Sequence, residues 1–424
     1  MSTRRHTDDL LAHVARHRNG VWDHAVRQRA ELCLIDSLTC FVAGRSLEHF
    51  RPTADAATRL LDAGAADASP FATAYLYGQA ANALDFDDTL LGHPGAPIVG
   101  ATLALAAREC LDADRVLRGI AAGYDAHFLL AAAARPTRDR GGHVRSVGVW
   151  DTVAAALAIG IALGFDDALL ERVIGLAATH SLIPFTGKWY ERPVPALKNN
   201  LGWAAAGAVL SVELARAGQT GITLPLDGAA GMWAMAGSDR WEPDRSLRKK
   251  AGVARAGFKR FPACWHLQEY LATASAIIGM LGTGERVTDV LVTGPADVEK
   301  FCVREVMTGA DIAFSLPATI SLLIECVEPG PAWDSFTDNS PVLAHRQLVR
   351  YRHSINRVLT FNTTDGRTIE REVEVSDELD LAPWGLDESA VLEKHNRWAG
   401  NELLCSITEP AQLVETLLHT SAAV

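Results

Sequence analysis

The stretch Asn82-Ala-Leu-Asp-Phe-Asp-Asp-Thr-Leu-Leu-Gly-His-Pro-Gly95 places Asp85, Asp87, Asp88, Thr89 and His93 within nine residues, between two alanine-rich helical patterns. His93-Pro94-Gly95 stops the preceding helix and starts a turn. Phe86 and Leu84 interleave the carboxylates, so the segment reads as partly buried. Three carboxylates this close cannot all be buried and ionised alone. Either cations from elsewhere in the chain converge on them or at least one carboxyl has a raised pKa, and both situations are typical of catalytic sites.

Working outward, helical periodicity runs through residues 25–42, 73–84, 100–110, 116–134, 151–164, 167–178 and 202–217, with breaks at Gly, Pro or Asp clusters. Small residues recur in Ala204–Ala208 and Ala154–Gly160, where helices can approach closely. After Pro262 the pattern changes. Residues 266–281 read as a helix, 286–293 as an alternating β-branched strand, and 357–375 as two strands around the turn Thr364-Asp365-Gly366. Helical patterns at 313–326 and 341–351 lie between them, and helicity returns at 387–398 and 410–419. The expectation is a mainly α protein with an α+β insertion: a helical domain from 1–264 and 386–424, and a smaller α+β lid domain from 265–385.

The 424 residues exceed one compact core, and 48% hydrophobic residues with only 7% aromatic favour close-packed helices. A net charge of −11 argues against nucleic-acid and anionic-membrane partners, but a local cation cluster can still bind an anionic substrate. The seven cysteines are odd in number and include no Cys-x-x-Cys pair, which disfavours zinc and disulfide frameworks. The start has two arginines without an apolar run behind them, and the longest apolar run, 153–165, is too short to span a bilayer. A reducing cytoplasm is the expected setting. The absence of metal-spaced His/Cys pairs and of any Gly-x-Gly-x-x-Gly fingerprint predicts an enzyme needing neither metal nor organic cofactor.

Five segments, in order, resemble the MmgE/PrpD family, which includes 2-methylcitrate dehydratase, cis-aconitate decarboxylase and iminodisuccinate epimerase. They are the opening stretch; Gly142-His143 with Gly148; Lys198-Asn-Asn-Leu-Gly-Trp-Ala-Ala205 with the Gly-x-Thr-Gly loop at Gly218–Gly221; Phe258-Lys-Arg-Phe-Pro-Ala-Cys264; and Ala313-Phe-Ser-Leu-Pro317. The resemblance spans about residues 24–400. It implies the helical-plus-lid architecture, a homodimer, and proton transfer at a carbon next to a carboxylate, which builds an enediolate-like dianion that fixed cations must stabilise.

By the same resemblance His143, His93, Asp85 and Lys259 are the expected catalytic residues and Lys198 and Thr89 are expected to bind a small-molecule carboxylate; His266 and Gln268, which follow on the next helix, are expected to join them in substrate binding. Two glycines before His143 let backbone approach a ligand, Asp85 can fix a histidine tautomer, and Lys259 lies at the expected domain junction. Asp85, His143, Lys198 and Lys259 should converge on one interdomain cleft. The sequence departs from many relatives in having Ala318 where they place a tyrosine and Gln268 where they place a second histidine. Both changes predict a roomier, less titratable pocket for a larger or less charged acid. The leading expectation is a dehydratase-type lyase. An isomerase, epimerase or decarboxylase on a similar acid is the alternative, and a non-catalytic carboxylate-binding or scaffold protein of the same fold is the other.

Overall fold

The computed structural model describes residues 5–61, 69–137, 148–182, 190–197 and 199–400. A large helical domain is built from α1 (His6–Val14), α2 (His24–Arg45), α3 (Arg51–Leu61), α4 (Pro70–Ala81), α5 (Gly95–Glu109), α6 (Ala113–Ala133), α7 (Asp151–Ala162), α8 (Asp167–Thr179) and α9 (Leu201–Arg216). A small α+β domain follows, with α10 (Trp265–Ile278), β1 (Val287–Gly294), α11 (Leu316–Ile324), β2 (Val349–His353), β3 (Val358–Thr363) and β4 (Thr368–Glu372). The chain then returns to the helical domain through α12 (Glu388–Trp398), which packs on α2.

Helix starts follow the local chemistry. Asp23, Asp112, Asp166 and Asp387 each cap a helix by accepting a backbone N–H, and Ser69 does so just ahead of Pro70. Every residue of α7 is buried, and α5, α6, α8 and α9 surround it. The small-residue runs are what permit this crowding. A side chain at Gly123 would meet Ala158 Cβ at 2.9 Å, and one at Gly202 would run into the Tyr75 carbonyl and Gln79 Cβ, the latter at 2.9 Å.

The sheet has the order β2-β1-β3-β4, with β1 parallel to β2 and the other pairs antiparallel. Gly366, at φ 84°, makes the expected turn between β3 and β4. The helix expected at 341–351 is instead a 3₁₀ segment, Pro341–Leu348, followed by strand β2. Parallel pairing with β1 outweighs local propensity there. Helix α1, ahead of the periodic region, is anchored tertiarily, with the His6 and Thr7 amides donating to Asp227.

Two large hydrophobic cores result, with smaller clusters around Phe50 and Phe86 and between Ala57 and Ala72. The larger core joins α1, α2 and α4–α9 with Phe258, Leu386 and Val391; the second joins Phe261, α10, the sheet, α11 and Trp333. Residues 258–261 thus pass from one core to the other, carrying Lys259 along the junction. No helix among the described residues is long and apolar enough to cross a membrane. Because backbone meets backbone where α4 crosses α9, Gly202→Ala should cost about 1–3 kcal/mol. Urea unfolding would show this as a lower midpoint at unchanged slope, and an unchanged midpoint would refute the close-approach account.

Candidate active site

The acidic stretch is not a helix end in solvent: Asp85, Asp87 and Asp88 are at most 1% exposed. After Ala81 the chain leaves the helix and turns, and Asp85 takes the left-handed conformation at φ 53°. Asp tolerates this better than most residues. The conformation lets Asp85 wrap one cation with two oxygens. Its carbonyl accepts from Lys259 Nζ at 2.9 Å, and its carboxylate accepts a short bond from the same ammonium. Delivery of Lys259 depends on a two-bond bridge in which Thr89 and Gly257 exchange N–H···O bonds of 2.9 Å. Gly257 has no room for a side chain, since a Cβ would meet Trp265 at 2.7 Å and Leu381 at 2.8 Å.

Asp87 lies 4.0 Å from Lys259 Nζ and pairs with His93 Nδ1 at 3.2 Å. Burial pushes the Asp87 pKa up, but His93 and Lys259 outweigh it and hold the carboxyl below its ordinary value. Burial likewise opposes the charge on Lys259, and Asp85 and Asp87 overcome it to hold the ammonium above its ordinary pKa. A carboxylate on Nδ1 favours the tautomer with its proton there, which leaves Nε2 as the basic edge. Nε2 lies 3.9 Å from Asp85, and the His93 side chain, at 12% exposure, is the member of this cluster that reaches solvent. Asp85, Asp87 and His93 are spaced to ligate a metal ion. Lys259 already sets a positive charge against both carboxylates, so a divalent ion would have to compete with it.

Further contacts hold the loop. Asn82 donates to both Asp87 oxygens at 3.0 and 3.2 Å and accepts from Asn199 at 2.7 Å. His127 faces the Leu90 carbonyl at 2.8 Å and pairs with Asp151 at 3.0 Å. Asp88 accepts from the Gly95 amide at 3.0 Å and from the Tyr124 hydroxyl. Beside this cluster a narrow crevice opens between the domains, with Ala83 and Leu84 on one wall and Pro262, Ala313, Trp333 and Asp334 on the other. His49 crosses the same junction to Asp334 at 2.7 Å.

Of the residues expected at the site, Asp85, His93 and Lys259 are in one cluster. Lys259 is fully buried and cannot touch a substrate directly in this arrangement. Thr89 is adjacent, but its hydroxyl donates to the Gly92 carbonyl at 2.7 Å, which favours a loop-closing role over a substrate contact. His266 packs its ring on Phe301 at 5.8 Å, on the α+β side. Gln268, expected to contact substrate, is a brace instead. Its oxygen accepts from the Arg260 and Phe261 amides and its nitrogen donates to the Phe261 and Ala263 carbonyls, which consumes its amide. Ala318, fully buried at the start of α11, belongs to the second core. His143 and Lys198 lie outside the described residues. The role of Asp87 was open in the sequence, since nothing there ranks it above Asp88; the partners Asn82 and Asn199 carry no recognisable signal.

A large helical domain joined to a small α+β domain, with ionised carboxylates, a lysine and a histidine at the junction, defines an enzyme-like architecture. Residues 8–244 match the family model of the MmgE/PrpD N-terminal domain. This is more than half the chain, and the protein belongs to the MmgE/PrpD family. Comparison with curated proteins finds no match. Membership suggests a dehydratase-type or related lyase.

Asp88 supplies a pH test. Burial first, and the charge of Asp36 second, raise its pKa to about 7. A raised carboxyl pKa stabilises the fold fully below the ordinary value of 3.8, and this contribution is lost as pH rises through about 7. Asp88→Asn mimics the protonated acid. The stability difference between wild type and variant should therefore shift against wild type from pH 4 to 7, by up to about 4 kcal/mol. A pH-independent difference would show that Asp88 is not protonated in the fold. Lys259→Met, which strands Asp85, should cost about 3–5 kcal/mol in the same denaturation assay, so loss of activity in that variant would not by itself identify a catalytic group.

Proposed function

We propose that the protein is a cofactor-independent lyase of the dehydratase type acting on a small or medium carboxylic acid. The observation that carries the reading is His93, held on Asp87 beside the Lys259–Asp85 pair and the member of that cluster whose side chain reaches solvent. In the proposed step His93 Nε2 takes the proton from the carbon next to the substrate carboxylate. The C–H electron pair forms the new C=C bond, the C–O bond to the β-hydroxyl breaks, and a protonated group gives that oxygen the proton with which it leaves as water. His143 is proposed for this acid role and Lys198 for the substrate carboxylate. Lys259 acts from beneath, as a fixed positive charge that keeps Asp85 and Asp87 ionised and in place.

Epimerisation uses the same first proton transfer and returns the proton on the opposite face; decarboxylation would break a C–C bond instead. A homodimer, which the resemblance implies, is part of the proposal and is checked by sedimentation. The reading is tested with a panel of 2-methylcitrate, citrate, cis-aconitate, iminodisuccinate and bulkier hydroxy acids in deuterated water, followed by NMR. Alkene formation with solvent exchange at the α-carbon is the expected result. Ligand-induced stabilisation without exchange or turnover of any acid would support the carboxylate-binding alternative.

On an accepted acid, His93→Gln should reduce kcat/KM by about 10²–10⁴ while leaving the melting profile near that of wild type. A loss below about tenfold would remove His93 from the base role. Activity should survive exhaustive chelation. Stoichiometric metal whose removal reversibly abolishes turnover would overturn the metal-independent reading.

A further inference from the structure

Beneath the candidate site lies a second buried ion pair that the proposed chemistry does not use. Lys394, on α12, has a side chain only 4% exposed, and its ammonium meets the fully buried Asp36 of α2 at 2.8 Å. The same ammonium donates to the Phe86 carbonyl at 2.7 Å, reaches the Lys259 carbonyl at 3.5 Å, and sits 3.7 Å over the Phe86 ring. Phe86 is the residue between Asp85 and Asp87, and Lys259 is the cation they share. One side chain from the far end of the chain, 308 residues from Phe86, therefore holds the backbone of both segments that form the cluster.

We infer that Lys394, supported by Asp36, is a positioning residue for the candidate active site, setting the 86–87 peptide so that Asp87 faces His93. Burying an ion pair gives little net stability over an apolar pair of similar volume, whereas removing one partner is costly. What an apolar pair cannot do is donate to two buried carbonyls. With the Phe86 ring and carbonyl both held by one cation, rotation of the peptide that aims Asp87 is restricted, and Lys394 also adds positive potential under that carboxylate. Burial opposes its charge, but Asp36 outweighs this and holds the lysine above its ordinary pKa. The consequence for turnover rests on the proposed function; the consequence for loop order does not.

The experiment uses the full chain and three variants: Lys394→Met, Lys394→Arg, and the double variant Asp36→Leu/Lys394→Met. Thermal melting reports the fold. Amide hydrogen exchange by mass spectrometry, without ligand, reports residues 84–92 and 257–262. Kinetics on an accepted acid report kcat and KM. Lys394→Met should melt lower. The double variant should recover the melting temperature yet exchange at 84–92 about tenfold or more faster than wild type, with kcat about tenfold or more lower and KM nearly unchanged.

Lys394→Arg, which keeps the charge and the donors, should retain most of the protection and turnover. Recovery of loop protection and kcat along with melting in the double variant would overturn the inference, because the pair would then only fill space. Should the double variant not fold, Lys394→Arg decides: a folded Arg variant with an unprotected 84–92 loop overturns the inference, and a protected one supports it. If wild type turns over no acid, the proposed function fails, and the exchange data alone decide the positioning role.

Discussion

Four carboxyl groups, from Asp36, Asp85, Asp87 and Asp88, are buried around the candidate site, and they can remain there only because buried cations or a retained proton offset their charge. Lys259 meets Asp85 and approaches Asp87; Lys394 meets Asp36; and Asp88 escapes the crowd by holding a proton up to about pH 7. Burial raises the Asp36 carboxyl above its ordinary value against the pull of Lys394, while His93 and Lys259 hold Asp87 below its own. A buried carboxylate braced on an imidazole that reaches solvent is an arrangement suited to proton transfer.

The fold supports that balance through close approaches. The bridge between Thr89 and Gly257 brings the Lys259 segment against the acidic loop, and it requires a residue without a side chain at 257. Asn82 couples Asp87 to Asn199, the neighbour of Lys198, while Asp151 accepts from the Gly148 amide at 2.5 Å and pairs with His127, which faces Leu90. Three segments distant in sequence are thus fastened to one loop. Gln268 completes the arrangement by closing the turn that follows Lys259, which is why an amide at this position has a structural task in place of the expected ligand contact.

These constraints bear on specificity. The crevice beside the cluster has one wall from the helical domain and one from the α+β domain, so motion between the domains would change its width. The volume argument from Ala318 and Gln268 does not carry over unchanged, since the first belongs to the second core and the second is consumed by backbone.

Much of the fold was legible because its signals are local. Period, capping aspartates and glycine breaks announce helices, and alternation with a Thr-Asp-Gly turn announces β3 and β4. Family membership, too, could be read from motifs in order. Strand β2 was not legible, because its partner β1 lies some sixty residues earlier and parallel pairing leaves no local mark. At the site, the density of Asp85, Asp87, Asp88 and His93 already required either a compensating cation or a carboxyl with a raised pKa, and the Phe-Lys-Arg-Phe-Pro motif offered a cation in Lys259. The need for charge compensation was therefore determined by sequence alone. Which lysine answers which carboxylate, which aspartate keeps its proton, and that Lys394 on the last described helix holds the loop from below were decided only by tertiary structure, because burial and distances between remote segments set those energies.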